Sequence, residues 1–155
     1  IKEAFVAAYN ILMADKDGVI ADCRALQHLL TDTTAMEQEI ADLSKQLGDS
    51  TEELRKHVEG NMRSAMDQEQ FWKRYNTLEE QCNCFSDRLA KLQSSVKERK
   101  QRADVIGGFM FEIKERDGII DEFDEELWTT LLESVTINRE GKWLFKFKNE
   151  KVVKV

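Results

Sequence analysis

The sequence contains no proline and only seven glycines among its 155 residues. Proline ends or kinks helices because its ring removes a backbone hydrogen bond, so a proline-free chain places few limits on helix length. Charged residues make up 34% of the chain. No apolar run approaches the roughly 18 residues that a membrane-spanning helix requires. These absences favour long, charged helices and argue against a membrane span.

Cysteine and histidine are also scarce. Cys23, Cys82 and Cys84 form no C-x-x-C pair, and neither His28 nor His57 stands at zinc-ligand spacing from them. We therefore expect reduced thiols and no metal site or cofactor in this chain. The sequence also lacks a nucleophile elbow and a phosphate-binding loop, so we expect no enzymatic activity from these residues alone.

Two heptad patterns occupy the middle of the chain, with apolar positions separated alternately by three and four residues. The first seam consists of Leu26, Leu29, Thr33, Met36, Ile40, Leu43 and Leu47. The second seam consists of Phe71, Tyr75, Leu78, Cys82, Phe85, Leu89, Leu92 and Val96. Two seams with a short connection predict an antiparallel coiled-coil hairpin within one chain. Parallel dimerisation of both seams is the alternative.

The connection, at about residues 48–66, is the predicted tip of the hairpin. Gly48 suits a helix end, and Ser50 or Thr51 suits the N-cap of a short helix that follows. Apolar residues recur there at four-residue spacing: Leu54, Val58, Met62 and Met66. These four residues either pack onto the end of the rod or form an adaptable, methionine-rich docking surface.

The two ends of the chain predict a small α+β base. The segment "IKEAFVAAYNILM" is an amphipathic helix with a break near Asp17-Gly18, and Asp124 is placed to cap a helix over "EELWTTLLESV". Strand-like runs follow at 135–138, 143–147 and 152–155. The residues expected in the core around Phe5 and Tyr9 are Phe109, Ile113, Ile119 and Ile120.

The predicted fold class is therefore mainly α, with an antiparallel coiled-coil hairpin and a small base that ends in a β-hairpin or meander. We assign residues 1–16 and 103–155 to the base and residues 17–102 to the hairpin. Whether the segment after residue 102 continues the second arm or starts a new helix is left open by the pattern.

Charge is distributed unevenly along the chain. Residues 135–155 carry six basic and two acidic side chains, whereas residues 1–134 carry 17 basic and 28 acidic ones. A basic end on an acidic chain indicates an anionic partner there. In "KWLFKFK", alternation places aromatic residues on one strand face and mostly lysines on the other. The candidate DNA-backbone contacts are Lys142, Lys146, Lys148 and Lys151, with Lys154 beyond them. A solubilising strand face is the alternative.

Four stretches carry a resemblance to a known family. The stretches are "IKEAFVAAYNIL", "LTDTTAMEQEIADL", "DQEQFWKRYNTLEEQ" and "FDEELW..L.ESVTI", the last followed by a turn and "F.FKN". In this order they resemble the C-terminal part of large serine recombinases of Gram-positive bacteria and their mobile elements, which include serine integrases and transposon recombinases. The likeness covers nearly the whole chain.

The resemblance implies a larger parent protein. Family members have an N-terminal catalytic domain with a nucleophilic serine, a recombinase domain, and a zinc-ribbon domain interrupted by a coiled-coil insertion. Helical periodicity begins at Ile1, and the family's zinc-binding cysteines are expected just before "IKEAF". We therefore expect an internal fragment that comprises the coiled coil and the distal part of the zinc-ribbon domain, with zinc bound elsewhere in the parent.

The function that this resemblance implies is regulatory. The coiled coil would contact other recombinase subunits during synapsis and so influence the direction of recombination. Further expected partners are DNA, in the context of the full-length protein, and a directionality factor, in the bacterial cytoplasm and without membrane contact. The alternative is a structural coiled-coil interaction module with no role at nucleic acids.

Overall fold

The computed structural model describes residues 1–64, 67–116 and 118–155. These residues form the helices α1 (Lys2–Ala14), α2 (Lys16–Thr31), α3 (Thr34–Arg63), α4 (Gln68–Glu115) and α5 (Glu125–Leu131). They also form the strands β1 (Leu132–Ile137), β2 (Trp143–Phe147) and β3 (Val152–Lys154). The predicted class is confirmed, because long helices dominate and a small antiparallel sheet completes the chain.

The chain divides into two compact units. Residues 1–31 and 99–155 form one unit, which we call the base, and residues 32–98 form the other, which we call the helical hairpin. The sequence-based division placed α2 with the hairpin, whereas in the structure α2 belongs to the base. Helix α4 runs without a break through both units, so the segment after residue 102 continues the second arm.

Aromatic and aliphatic side chains from α1, α2, α4, α5 and the three strands form the core of the base. Phe109 and Ile113 are fully buried there, as expected. Ile120 is only partly buried, and the assignment of Ile119 to the core is wrong because that side chain is 69% exposed. The Asn10 side chain bonds both the N–H and the carbonyl of Ile120, each at 2.9 Å. These two bonds between a side chain of α1 and the main chain therefore help to fix this segment.

The first helix break lies at Asp15, slightly before the predicted Asp17-Gly18. The carbonyl of Asp15 accepts the Val19 N–H at 2.9 Å, so α2 is already under way when the chain reaches Gly18. A Cβ at Gly18 would collide with the Asp15 carboxylate. Those atoms are the end of a flexible side chain that can move aside, so Gly18 lies inside the helix without a turn that requires it.

The sheet has the order β1-β2-β3, with both pairs antiparallel. Asp124 caps α5 as predicted, since its carboxylate accepts the N–H groups of Glu126 and Leu127 at 2.9 and 3.0 Å. The predicted extension of this helix through Val135 is wrong, because α5 ends at Leu131 and β1 begins at once. The segment after Leu131 pairs with β2 instead, and Val135 lies opposite Phe145.

Candidate functional site

The helical hairpin pairs α3 and α4 in opposite directions within one chain. Arg74 forms an ion pair with Glu53, and Arg88 forms one with Glu39 at 2.8 Å. The residue number of the α3 partner thus decreases as the residue number of the α4 partner increases. This is the antiparallel arrangement that the two seams predict.

The second predicted seam matches the buried stripe of α4 throughout. All eight of its members are buried or half-buried, and Leu78 is completely inaccessible. The first seam matches from Thr33 to Leu47, but Leu29 is 64% exposed and its assignment is wrong. Leu29 lies on α2, a separate helix, so the heptad register does not carry through to it.

The helix end predicted at Gly48 is also wrong, because α3 continues unbroken from Thr34 to Arg63. The half-buried pattern continues as well, through Ser50, Leu54, His57 and Asn61. Packing against α4 therefore overrides the weak helix propensity of "GDST".

The break lies instead between α2 and α3. The Thr31 hydroxyl donates to the carbonyls of Gln27 and His28 at 2.9 and 3.1 Å. The Arg99 guanidinium donates to the carbonyls of Leu29 and Leu30. The Arg99 side chain thus supplies donors to carbonyls of the last turn of α2, which lack partners within the helix at its end.

The four predicted tip residues do not behave alike. Leu54 and Val58 are half-buried, Met62 is 82% exposed, and Met66 lies outside the described residues. Leu54 continues the seam of α3 and belongs to the hairpin's interior pattern. Met62 alone among the described members is available to a partner.

An aromatic cluster at the start of α4 supports this end of the hairpin. The His57 ring stacks on Phe71 with centroids 4.8 Å apart and an interplanar angle of 11°, and His57 Nε2 lies 3.0 Å from the Phe71 carbonyl oxygen. Trp72 meets Phe71 and Tyr75 edge-on at 5.2 and 5.5 Å and remains 54% exposed. Sequence reasoning missed Trp72. The sequence feature that could have identified it is a large aromatic residue directly beside the seam position Phe71. We use the term tip surface for two exposed side chains, Met62 in the last turn of α3 and Trp72 near the start of α4.

Lys146, a predicted DNA contact, is engaged by acidic neighbours. Its ammonium lies 2.7 Å from Glu150 and 3.5 Å from Glu133, and Arg102 forms ion pairs with the same two carboxylates. The Lys146 hydrogen bond lowers the pKa of the Glu150 carboxyl, and the same bond raises the pKa of Lys146. This four-residue network joins α4 to β1 and to the β2–β3 turn.

Other predicted lysines are also engaged. Lys148 Nζ donates to the Thr129 carbonyl at 2.8 Å, and Lys151 Nζ lies 3.4 Å from an Asp15 carboxylate oxygen. Lys154 Nζ lies 3.3 Å from Glu140. The charges of Lys151 and Lys154 are therefore partly neutralised within the base, whereas Lys148 bonds a neutral carbonyl.

The β1–β2 turn carries the cations that remain available. Lys142 and Arg139 are exposed, and within the described ranges neither forms an ion pair. Gly141 shapes this turn with φ = 79°, a backbone conformation that favours glycine. Sequence reasoning found Lys142 but missed Arg139, which the run of alternating lysines does not include.

The described part of the chain does not supply a zinc site. Cys23 is buried, Cys82 is half-buried and Cys84 is exposed, and all three are free thiols. No group of three or more His, Cys, Asp or Glu side chains in residues 1–64, 67–116 and 118–155 is placed to hold a metal ion. None of the helices in these ranges combines the length and apolar character that crossing a membrane requires.

The first and the last of the four quoted stretches meet in the core of the base, the last together with the "F.FKN" that follows it. Phe5, from "IKEAF", lies 5.8 Å from Phe123 and 5.1 Å from Trp128, both from "FDEELW". It also lies 6.1 Å from Phe145, from "F.FKN". The aromatic residues of these stretches thus form one cluster, which gives their joint occurrence a physical reason.

No protein-family model, curated protein or solved structure matches this chain. The resemblance to serine recombinases therefore stays a prediction from the four stretches of sequence.

Proposed function

We propose that this chain is a regulatory, DNA-associated part of a large serine recombinase, and that its helical hairpin contacts other subunits during synapsis. The observation that carries the proposal is an internally completed hairpin with an exposed tip surface. Because the seams of α3 and α4 already pack against each other at buried or half-buried positions, we expect a second chain to bind elsewhere. Contact with another subunit must use the exterior of the rod.

The tip surface is the part of that exterior best suited to protein contact. Met62 and Trp72 are the large, exposed hydrophobic side chains of the described part of the hairpin. Tryptophan is enriched at the energetic centres of protein interfaces, and methionine adapts to irregular partner surfaces. The acidic, ion-paired flanks of the rod would repel DNA, which favours a protein partner here.

DNA contact is assigned to the base. Arg139 and Lys142 carry cations without an ion pair among the described residues, whereas Lys146, Lys148 and Lys151 already have partners. Contacts from this turn to phosphates would position the base without selecting sequence. Under this proposal zinc is held elsewhere in the parent, catalysis belongs to its serine domain, and the protein acts in the bacterial cytoplasm.

The test uses the full-length parent protein. Its coding sequence should specify a catalytic domain with a nucleophilic serine upstream of residue 1. The double variant Met62→Ser/Trp72→Ser should form synaptic complexes several-fold less well while binding single DNA sites normally. The matched control is Gln46→Ser/Gln81→Ser, which changes two exposed polar residues of the same rod. Equal synapsis by both variants, or a parent without such a domain, would overturn the proposal.

One observation favours the second candidate, a coiled-coil interaction module with no role at nucleic acids. Most of the predicted basic face is neutralised by Glu133, Glu150, Asp15 and Glu140. If Arg139 and Lys142 contribute nothing to DNA binding by the parent, this candidate is preferred.

A further inference from the structure

A cleft in the base lies between α1 and the segment before α5. It has a volume of about 370 Å³, which is in the range of small-ligand sites. The residues that line it are Lys2, Glu3, Val6, Asp121, Glu122 and Phe123. A second cleft shares Lys2 and Phe123 and extends to Glu125 and Trp128. The Phe123 ring is therefore a wall common to both.

The Phe123 ring is held in place and already receives a cation. Phe5 and Trp128 contact it from the core, with centroids 5.8 and 5.7 Å away. The ammonium of Lys2 lies 4.9 Å from the ring centroid. A cation at this distance is attracted to the negative face of the ring, so the cleft presents a preorganised cation-binding surface.

The charges around the ring are not balanced. Glu3, Asp121, Glu122 and Glu125 are exposed, and in the part of the chain that the structure describes none of them forms an ion pair. The nearby Arg116 is engaged instead by Glu112, Asp124 and Glu126, at 3.5 to 3.7 Å. Among the residues that line the two clefts, Lys2 thus supplies the one side-chain cation beside these four carboxylates.

We propose that this cleft binds a lysine or arginine side chain from a basic peptide segment of a partner protein, which displaces Lys2 from the Phe123 ring. The carboxylates complement the positive head group, the ring receives it, and the half-buried Val6 contacts the apolar stem. A nucleic acid would be repelled by the same carboxylates. This site goes beyond the proposed function, because neither the tip surface nor the β1–β2 turn takes part in it.

The test titrates the isotope-labelled chain itself with a capped five-residue peptide carrying a central arginine between two leucines. Nuclear magnetic resonance should show saturable shifts at Lys2, Val6 and Phe123. A peptide with glutamate at the centre should cause none. The double variant Asp121→Asn/Glu122→Gln should weaken binding by about fivefold, because exposed charge pairs contribute about 0.5 kcal/mol each.

The variant Lys2→Ala gives the sharpest result, because it removes the cation that competes for the ring. It should tighten binding about threefold, the size of an exposed cation–π contact. The control Lys45→Gln removes an exposed lysine on α3, in the other unit, and should leave the affinity nearly unchanged. Absence of saturable shifts, equal binding of the glutamate peptide, or weaker binding by Lys2→Ala would overturn the proposal. Recombination is not measured, so failure here leaves the proposed function untouched.

Discussion

Arg88 on α4 lies 2.8 Å from Glu39 on α3. Two heptads earlier on α4, Arg74 pairs with Glu53, which lies two heptads later on α3. The register is therefore constant over this length, as an antiparallel coiled coil with one shared period requires. Exposed ion pairs contribute at most about 1 kcal/mol each to stability. The packing of the two seams therefore determines the register, and the ion pairs form as a consequence of it.

Truncation inside the seam should destabilise the chain far more than a change beside it. Leu78 is completely buried, so Leu78→Ala should lower the free energy of unfolding by about 2–4 kcal/mol through reduced apolar burial and a cavity. The adjacent, exposed Thr77→Ala should change it by less than about 0.5 kcal/mol. Urea denaturation monitored by helicity measures both values. Similar effects of the two variants would contradict the assigned seam.

Gly48→Ala should stabilise the chain. Gly48 lies inside α3, and a Cβ there would have no atom within 4 Å. Alanine in an exposed helix interior is favoured over glycine by about 0.5–1 kcal/mol. If Gly48 instead ended the helix in a left-handed conformation, the substitution by alanine would destabilise the chain. The midpoint of thermal or urea unfolding distinguishes the two, and a destabilised variant would restore the helix end that the sequence predicted.

The outcome at Gly48 illustrates which parts of the fold can be predicted from sequence. The α4 seam, strand β2 and the Asp124 cap were predictable because each depends on a periodicity or a cap within a short window. The continuity of α3 was not, because it depends on packing against residues far along the chain. The end of α2 depends on Arg99, which is remote in sequence.

The candidate sites were less predictable for the same reason. Lysine spacing located the basic strand, but the carboxylates that neutralise Lys146 come from β1 and the β2–β3 turn. Trp72 and Arg139 become prominent only once the exposure of their side chains and the ion pairs of their neighbours are known.

Acid should weaken the ion network around Glu150. Its hydrogen bond with Lys146 holds the pKa of the Glu150 carboxyl below its usual range. A carboxyl whose folded-state pKa is depressed adds stability above its unfolded pKa of about 4.3, and this contribution disappears as pH falls. Between pH 6 and pH 3, the unmodified chain should lose more stability than Glu150→Gln. The difference should be small, because the side chain is half-exposed, and should shrink in about 1 M salt. Equal losses of stability by the unmodified chain and by Glu150→Gln at low salt would contradict the network.

The proposed function predicts that DNA binding by the full-length parent depends on the β1–β2 turn. The variant Arg139→Gln/Lys142→Gln should reduce the slope of log affinity against log salt by about 0.9 for each phosphate that the turn no longer neutralises. Affinity should fall alike for unrelated sequences. Lys146→Gln is the matched control, since Lys146 is already paired with carboxylates and should alter the slope less. A larger change in the control would assign DNA binding to the strand face rather than to the turn.

The central claim is that one chain folds α3 back onto α4 and leaves the tip surface for a partner. Thr51 Oγ1 on α3 lies 3.9 Å from the Cys82 thiol on α4, so Thr51→Cys places two sulfurs within bridging reach. In a Cys84→Ser background, dilute oxidation should give a monomer with an internal disulfide, seen as faster migration on a non-reducing gel and the loss of two hydrogens by mass. Gly48→Cys, whose side chain would face open space, should remain reduced. Disulfide-linked dimers from Thr51→Cys without the internal bond would contradict the antiparallel intrachain hairpin.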